Sequence, residues 1–266
     1  MIPEFDPFAH HPALRETIAD PLLSFFRTFS PDSIDALALT SGFGDDWRYS
    51  DEKVESDRRD FVASHGPADL WVFGYGSLMW DPAFRFVEVR RARIDGYERR
   101  FCLLDQMARG SKDRPGLMAA LDVGGFCEGL VFRIPRDLVD EETGYIWRRE
   151  LFAPPYKPLM VDIGTAHGKV QALAVVANRA SEHICPDLTL VQQARFIGTG
   201  AGFLGTSRDY IEKIAAQLAV MGIRDQALLQ LLTEVRAVAE AVAGLPDQPA
   251  GPGGGAPLDP LDAKPA

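Results

Sequence analysis

An α+β fold is what the sequence predicts. Apolar and aromatic runs of strand length are concentrated between residues 72 and 177, and patterns of helical period follow them. The strands come first and the helices later, without the one-for-one alternation of parallel βαβ units. At 266 residues, 46% of them hydrophobic, the chain is long enough to bury one sizeable core.

Taken in order, residues 1–68 read as a partly helical N-terminal extension. Pro12 to Phe29 predicts an amphipathic helix interrupted by Pro21. Ser30-Pro31-Asp32-Ser33 is a helix start, with proline at the first position. Gly42 to Arg59 is polar and loosely patterned. The main domain is expected over 69–244. Its strands are predicted at Val72 to Tyr75, Phe86 to Ile94, Arg99 to Leu104, Leu117 to Leu121 and Gly129 to Ile134, punctuated by Gly96, Gly116 and Gly124-Gly125. Pro135 opens a helical pattern that Ala153-Pro154-Pro155 ends. Two further strands, Leu159 to Ile163 and Val170 to Ala177, are joined by a turn near His167-Gly168. Helices follow at Leu188 to Phe196, Ser207 to Met221 and Asp225 to Val242. Residues 245–266 are rich in proline, glycine and alanine and are expected to be a disordered tail.

The formal charge of −10 makes nucleic acid a poor partner. No run approaches the roughly 20 apolar residues that span a bilayer, so no membrane partner is expected. Cys102, Cys127 and Cys185 are widely spaced and odd in number, which points to a reducing, cytoplasmic setting and to small buried side chains. The histidines lack metal-ligand spacing, so neither a metal nor another cofactor is expected.

The most informative stretch is Trp71-Val72-Phe73-Gly74-Tyr75-Gly76-Ser77-Leu78-Met79-Trp80. A buried strand runs into a glycine-rich turn whose N–H groups suit a carboxylate or a developing oxyanion. Gly74 and Gly76 lack the third glycine of a dinucleotide fingerprint, and no Gly-Lys-Ser/Thr follows. Ser77 has no recognisable His-Asp pair and reads as a hydrogen-bond donor.

From Val72 to Trp80 this stretch resembles the opening motif of the ChaC family of γ-glutamylcyclotransferases. Arg99-Arg100-Phe101, Arg109-Gly110, Arg114-Pro115-Gly116-Leu117, Gly129-Leu130-Val131-Phe132-Arg133, Trp147-Arg148-Arg149-Glu150 and Arg208-Asp209-Tyr210 resemble later family motifs in the same order. The resemblance covers roughly Trp71 to Val235. It implies a γ-glutamylcyclotransferase-like mixed sheet or barrel with packed helices. It also implies glutathione as substrate, cleaved to 5-oxoproline and Cys-Gly when the substrate's own α-amine attacks its γ-carbonyl. Such a reaction needs orientation, worth about 7 kcal/mol or more, a proton shuttle and oxyanion donors.

On the resemblance, Glu150 is the expected general base and acid, at the end of the predicted helix. Gly74, Tyr75, Gly76, Ser77, Leu78, Met79 and Tyr210 are the expected substrate-binding set. Glu141, nine residues before Glu150, falls on nearly the opposite face of a straight helix and is a secondary candidate. Arg100 and Arg114, with Arg109, are candidates for the substrate's carboxylates. The family often continues from Arg-Glu into Gly-Gly-Tyr, whereas here Leu151-Phe152-Ala153-Pro154-Pro155-Tyr156 follows. Cyclisation of another γ-glutamyl amine or peptide therefore stays open, as does a non-catalytic protein that binds a γ-glutamyl metabolite. Oligomeric state is left open.

Overall fold

Five strands close into a barrel in a computed structural model that describes residues 6–243. They are β1 (Leu70–Gly74), β2 (Glu88–Asp105), β3 (Gly116–Ile134), β4 (Tyr156–Thr165) and β5 (Gly168–Ala177), in the spatial order β1-β3-β2-β4-β5. Neighbours are antiparallel except at the closure, where Trp71, Val72 and Phe73 of β1 run parallel to Ala172, Leu173 and Ala174 of β5. Val72, Phe73, Leu130, Phe132, Ile163 and Leu173 are fully buried along these strands. Their alternation with partly exposed positions is only partial, because helices cover much of the outside as well.

The sheet departs from the sequence expectation in strand count. The segments predicted as Phe86 to Ile94 and Arg99 to Leu104 are one strand, and so are Leu117 to Leu121 and Gly129 to Ile134. Gly96 and Gly124-Gly125 do not end strands. They absorb a register shift, Asp95 facing Phe126 and Tyr97 facing Val123, with Gly96 at φ +82°. A Cβ on Gly124 would lie 2.2 Å from the Glu98 carboxyl carbon. The far half of the long β2–β3 ribbon leaves β1 behind and is packed by helix α6 (Ser207–Val220), whose Ser207 hydroxyl accepts from Leu117 N at 3.1 Å.

In the N-terminal extension the predicted amphipathic helix is instead two 3₁₀ turns, Pro12–Glu16 and Pro21–Leu23, and a four-residue α1 (Phe25–Thr28). Pro21 opens a new turn capped by Asp20, and Ser24 caps the next, so the chain restarts instead of continuing. Helix α2 (Pro31–Thr40) begins where Ser30-Pro31 predicts. The loosely patterned stretch holds most of a fifteen-residue helix, α3 (Asp51–His65), capped by Ser50 and ended by Gly66 at φ +75°. Only Val54 and Arg58 of α3 are buried, too few to print a helical period on the sequence.

Helix α4 (Val139–Glu150) carries the candidate acid as its last residue. After β5 come α5 (Leu190–Thr199), a two-residue hairpin pair β6 (Ala201–Gly202) and β7 (Gly205–Thr206), α6, and α7 (Gln226–Ala243). The expected tail, 245–266, lies outside the described residues.

The extension is fastened to α4. Arg58 of α3 donates to the carbonyl and carboxylate of Asp140 at 2.7 and 2.8 Å. Arg27 of α1 donates to Glu142 at 2.6 Å and stacks over the Tyr145 ring at 3.8 Å. Glu142 is fully buried, and Arg85 shares its charge through both side chain and backbone. Removing one partner of a buried pair leaves charge uncompensated. Arg27→Ala is therefore expected to lower the unfolding free energy by about 2 kcal/mol or more in urea titrations. A loss below about 0.5 kcal/mol would mean that Arg85 alone neutralises Glu142.

Candidate active site

β1 ends at Gly74, and the chain turns through a short 3₁₀ segment, Ser77–Met79. Leu78 and Met79 bury their side chains and peg this turn to the core. The turn's carbonyls are all engaged from Tyr75 to Ser77. Arg99 donates to Tyr75 O at 2.8 Å, Met79 N to Gly76 O, and Trp80 N and Asp81 N to Ser77 O. Further on, Gln217 of α6 donates to Met79 O at 2.9 Å and Ala19 of the extension to Trp80 O at 2.8 Å. By contrast, the N–H groups of Gly76, Ser77 and Leu78 have no acceptor among the described residues. These are the orphan donors that open any helical turn. Their carbonyl sides being pinned, they form a fixed set of donors for an anion.

Gly76 is required by space. A Cβ there would lie 2.6 Å from the Tyr210 hydroxyl, and Tyr210 is itself buried. Its ring meets Trp80 at 5.8 Å and Phe101 at 6.3 Å, both edge-on. Tyr156, the first residue of β4, donates its hydroxyl to Ala119 O at 2.9 Å. Burial, and after it the Glu150 charge, pushes the Tyr75 and Tyr210 phenols up. For Tyr156 burial acts first, then Tyr75, Tyr210 and Glu150. All three phenols thus stay neutral at neutral pH, each feeling the charge of one carboxyl.

That carboxyl belongs to Glu150, whose side chain is 16% exposed. Burial raises its pKa above the ordinary glutamate value, and the Asp81 charge adds to the rise. Arg149 opposes both, its Nε lying 2.9 Å from Glu150 Oε1. The same guanidinium donates to Ser77 Oγ at 2.8 Å and to Asp81 O at 2.5 Å. Because Ser77 Oγ accepts from Arg149, its own hydroxyl proton is free for another acceptor. Asp81 Oδ1 is buried with no hydrogen-bond partner among the described residues.

The fold therefore brings Glu150, Tyr75, Gly76, Ser77, Leu78 and Tyr210 together, with Gly74 and Met79 as the turn's buried flanks. It does not bring in the secondary candidates. Glu141 is exposed and paired with Arg85 and, at 3.5 Å, Arg27. α4 runs unbroken through Gly144, and nine residues at about 100° each place Glu141 on the other side of the helix from Glu150. Arg100 pairs with Glu98 at 2.5 Å, and Arg114 donates to Thr199 O from an exposed position. Arg109 is the loop arginine that reaches the group, 5.8 Å from the Tyr210 ring centre and donating to Leu204 O. Burial pushes the Cys102 thiol up to about 12, which leaves it unreactive.

Arg99, Arg149 and Tyr156 stand in the motifs quoted from the sequence but were not among its candidate site residues, and neither was Asp81. Arg149 had a detectable signal: with Glu142 and Ile146 it lies on the buried face of α4 at helical spacing, so a charge there needs partners. Arg99, Asp81 and Tyr156 act through contacts across 24 to 37 residues or through a missing partner, which no local pattern records.

A cavity of about 390 Å³ lies elsewhere, between the extension and Arg85-Phe86, lined also by Phe8, Ile18 and Leu22. Its arginines are already paired, Arg15 with Asp6 and Arg85 with Glu142, and its Asp20 accepts from Leu22 N as a cap.

A closed barrel whose strand-end turn of unpaired donors is joined through Arg149 to one buried acid is an arrangement suited to proton transfer and oxyanion chemistry on a small molecule. The chain belongs to the ChaC-like protein family, whose model matches residues 70–238. It is 32% identical over 168 residues to a glutathione-specific γ-glutamylcyclotransferase of Escherichia coli, covering 63% of this chain and 73% of that one. It is 30% identical over 167 residues to glutathione-specific γ-glutamylcyclotransferase 1 of Danio rerio, covering 61% and 84%. Among solved structures, a yeast γ-glutamyl cyclotransferase specific to glutathione shares the fold, with a TM-score of 0.61 at 21% identity over 65% of this chain and 98% of that one.

The contact at Gly76 makes a sharp test. Gly76→Ala is expected to destabilise the protein by about 1–3 kcal/mol through overpacking. Adding Tyr210→Phe removes the atom in the way and is expected to recover most of that loss in thermal melts. An additive double mutant would mean that the Tyr210 hydroxyl is not the constraint.

Proposed function

We infer that the chain is a glutathione-specific γ-glutamylcyclotransferase that releases 5-oxoproline and Cys-Gly. The observation that carries this reading is the buried Glu150 beside the free donors of Gly76, Ser77 and Leu78. The supporting similarity is to enzymes named for that reaction.

In the proposed mechanism the γ-glutamyl unit curls between the turn and α4. Its α-ammonium lies between Glu150 and the unpartnered Oδ1 of Asp81. Glu150, ionised, takes a proton from the ammonium. The freed amine attacks the γ-carbonyl, forming the ring C–N bond. The oxyanion is met by the N–H groups of the turn and the Ser77 hydroxyl. Glu150 returns that proton to the departing cysteinyl nitrogen as the γ-amide C–N bond breaks, and the ring nitrogen then gives up its second proton through Glu150, so that the lactam forms neutral and Cys-Gly leaves with an ammonium group. The neutral phenols of Tyr75, Tyr156 and Tyr210 exclude water without adding charge. Arg109, at the rim, suits a carboxylate at the far end of the substrate. The nucleophile belongs to the substrate, so the protein needs no nucleophile of its own. No helix among the described residues is long and apolar enough to cross a membrane. Three free thiols fit a reducing cytoplasm as the working compartment.

Glu150→Gln is expected to fold and to lose 5-oxoproline release from glutathione by about 100-fold or more. Wild-type turnover should exceed that on γ-glutamyl-alanine, and equal rates on both would set aside glutathione specificity. A second consequence concerns stability. A glutamate whose folded pKa is raised binds more protons in the folded state, so it costs stability as pH rises from the ordinary value of 4.5 through the raised one. At neutral pH Glu150→Gln is therefore expected to melt above wild type, with the difference vanishing below about pH 4. Identical melting curves at both pH values would mean that Glu150 is not desolvated.

A further inference from the structure

We propose that Phe26, on α1 of the N-terminal extension, is a positioning residue for Glu150, acting through the Arg149 guanidinium that it covers. The proposal rests on the cyclotransferase reading and extends it to a segment outside the 70–238 family match.

The Arg149 side chain is 4% exposed, and its guanidinium carbon lies 3.9 Å over the Phe26 ring centre. Its nitrogens are spent in the other direction, on Glu150, Ser77 and the Asp81 carbonyl. A guanidinium held by hydrogen bonds along its edge has its planar faces left to satisfy, and an aromatic ring does so without competing for a donor. The ring also keeps water off the ion pair, which strengthens it. Phe26 is itself fixed by Phe25 and Phe29, with ring centres 5.5 and 6.1 Å away, and by the Ser24 cap on its N–H. The next residue, Arg27, ties α1 to Glu142 two turns earlier on α4. The extension thus grips the acid's helix at one point and covers the acid's partner at another.

The charged and titratable groups around Glu150 come from each packed element: Arg149 on its own helix, Asp81 after the turn, Tyr75 at the end of β1, Tyr156 on β4 and Tyr210 on α6. Arg149 is the cation among them, so loosening it leaves burial and Asp81 unopposed. The acidic limb of kcat/KM then moves to higher pH.

The test compares Phe26→Leu, which keeps apolar bulk but no ring face, with Phe26→Tyr, which keeps the face. Glu150 is titrated by NMR of ¹³C-labelled glutamate, its signal assigned by loss in Glu150→Gln, and 5-oxoproline release from glutathione is followed over the same pH range. Phe26→Leu is expected to raise the Glu150 titration midpoint and the acidic limb together by about half a pH unit or more, and Phe26→Tyr to leave both at wild-type positions. An unchanged titration in Phe26→Leu, with or without a lower melting temperature, overturns the proposal. So does a shift of equal size in Phe26→Tyr. Should Phe26→Leu not fold, Phe26→Met is read in the same way. A wild-type protein that releases no 5-oxoproline, while its Glu150 titration still responds to Phe26→Leu, would remove the cyclotransferase reading and leave the Phe26–Arg149–Glu150 linkage standing.

Discussion

Everything at the site hangs on the Arg149 guanidinium. It touches Glu150 at the end of α4, Ser77 in the strand-end turn and the backbone of Asp81 beyond it. The acid and the donor turn come from separate elements, a helix and a strand, that share no hydrogen-bond ladder. One planar cation with several fixed donors joins them with defined spacing, which a flexible lysine would not do. The same contact tempers the desolvation of Glu150. Without it, burial and the Asp81 charge would raise the pKa of the Glu150 carboxyl unopposed.

The barrel and the extension make different contributions around that cation. The donors ride on β1, whose strand is paired on both sides, with β3 and β5, and so cannot drift. The acid rides on a helix end, where the macrodipole disfavours negative charge and the last turn frays most easily. Such a helix needs outside support. The extension supplies it with Arg58 at the start of α4, Arg27 along it and Phe26 near its end. This explains why a segment outside the family match is built so tightly into the molecule.

Much of this was legible in the sequence, and the pattern of what was not is physical. The strand-turn motif at Gly74 to Met79 announced itself because close backbone approach demands glycine, and Gly76 indeed faces the Tyr210 hydroxyl with no room for a Cβ. The end of α4 was legible because Ala153-Pro154-Pro155 cannot continue a helix. Gly96 and Gly124-Gly125 misled, since the same residue serves a turn and a bulge, and only the facing strand decides between them. Helix α3 was missed because its inward face is short and mixed, with the charged Arg58 set among Val54, Phe61 and Val62. Glu141 and Glu150 look equivalent as acids in one helix. A hundred degrees per residue separates them, sending one into the ion pairs of Arg85 and Arg27 and the other against the barrel.

The price of the site is instability, and the structure shows where it is met. A largely buried carboxyl and an unpartnered, buried Asp81 oxygen oppose folding, and three amides beside them are without a protein acceptor among the described residues. On the proposed reading, a γ-glutamyl headgroup would meet each of them, with an ammonium for the two acids and an anionic oxygen for the amides. The residues around them make no concession to that strain. Arg99 is 2% exposed and holds Tyr75 O, Glu128 O and Asp225 at once, and Gln217 reaches Met79 O from a buried position. Frustrated groups set in a frame of satisfied ones cannot relax by moving. On the proposed reading a substrate would find them already placed, and its binding free energy would go into curling the γ-glutamyl chain instead of into building the site.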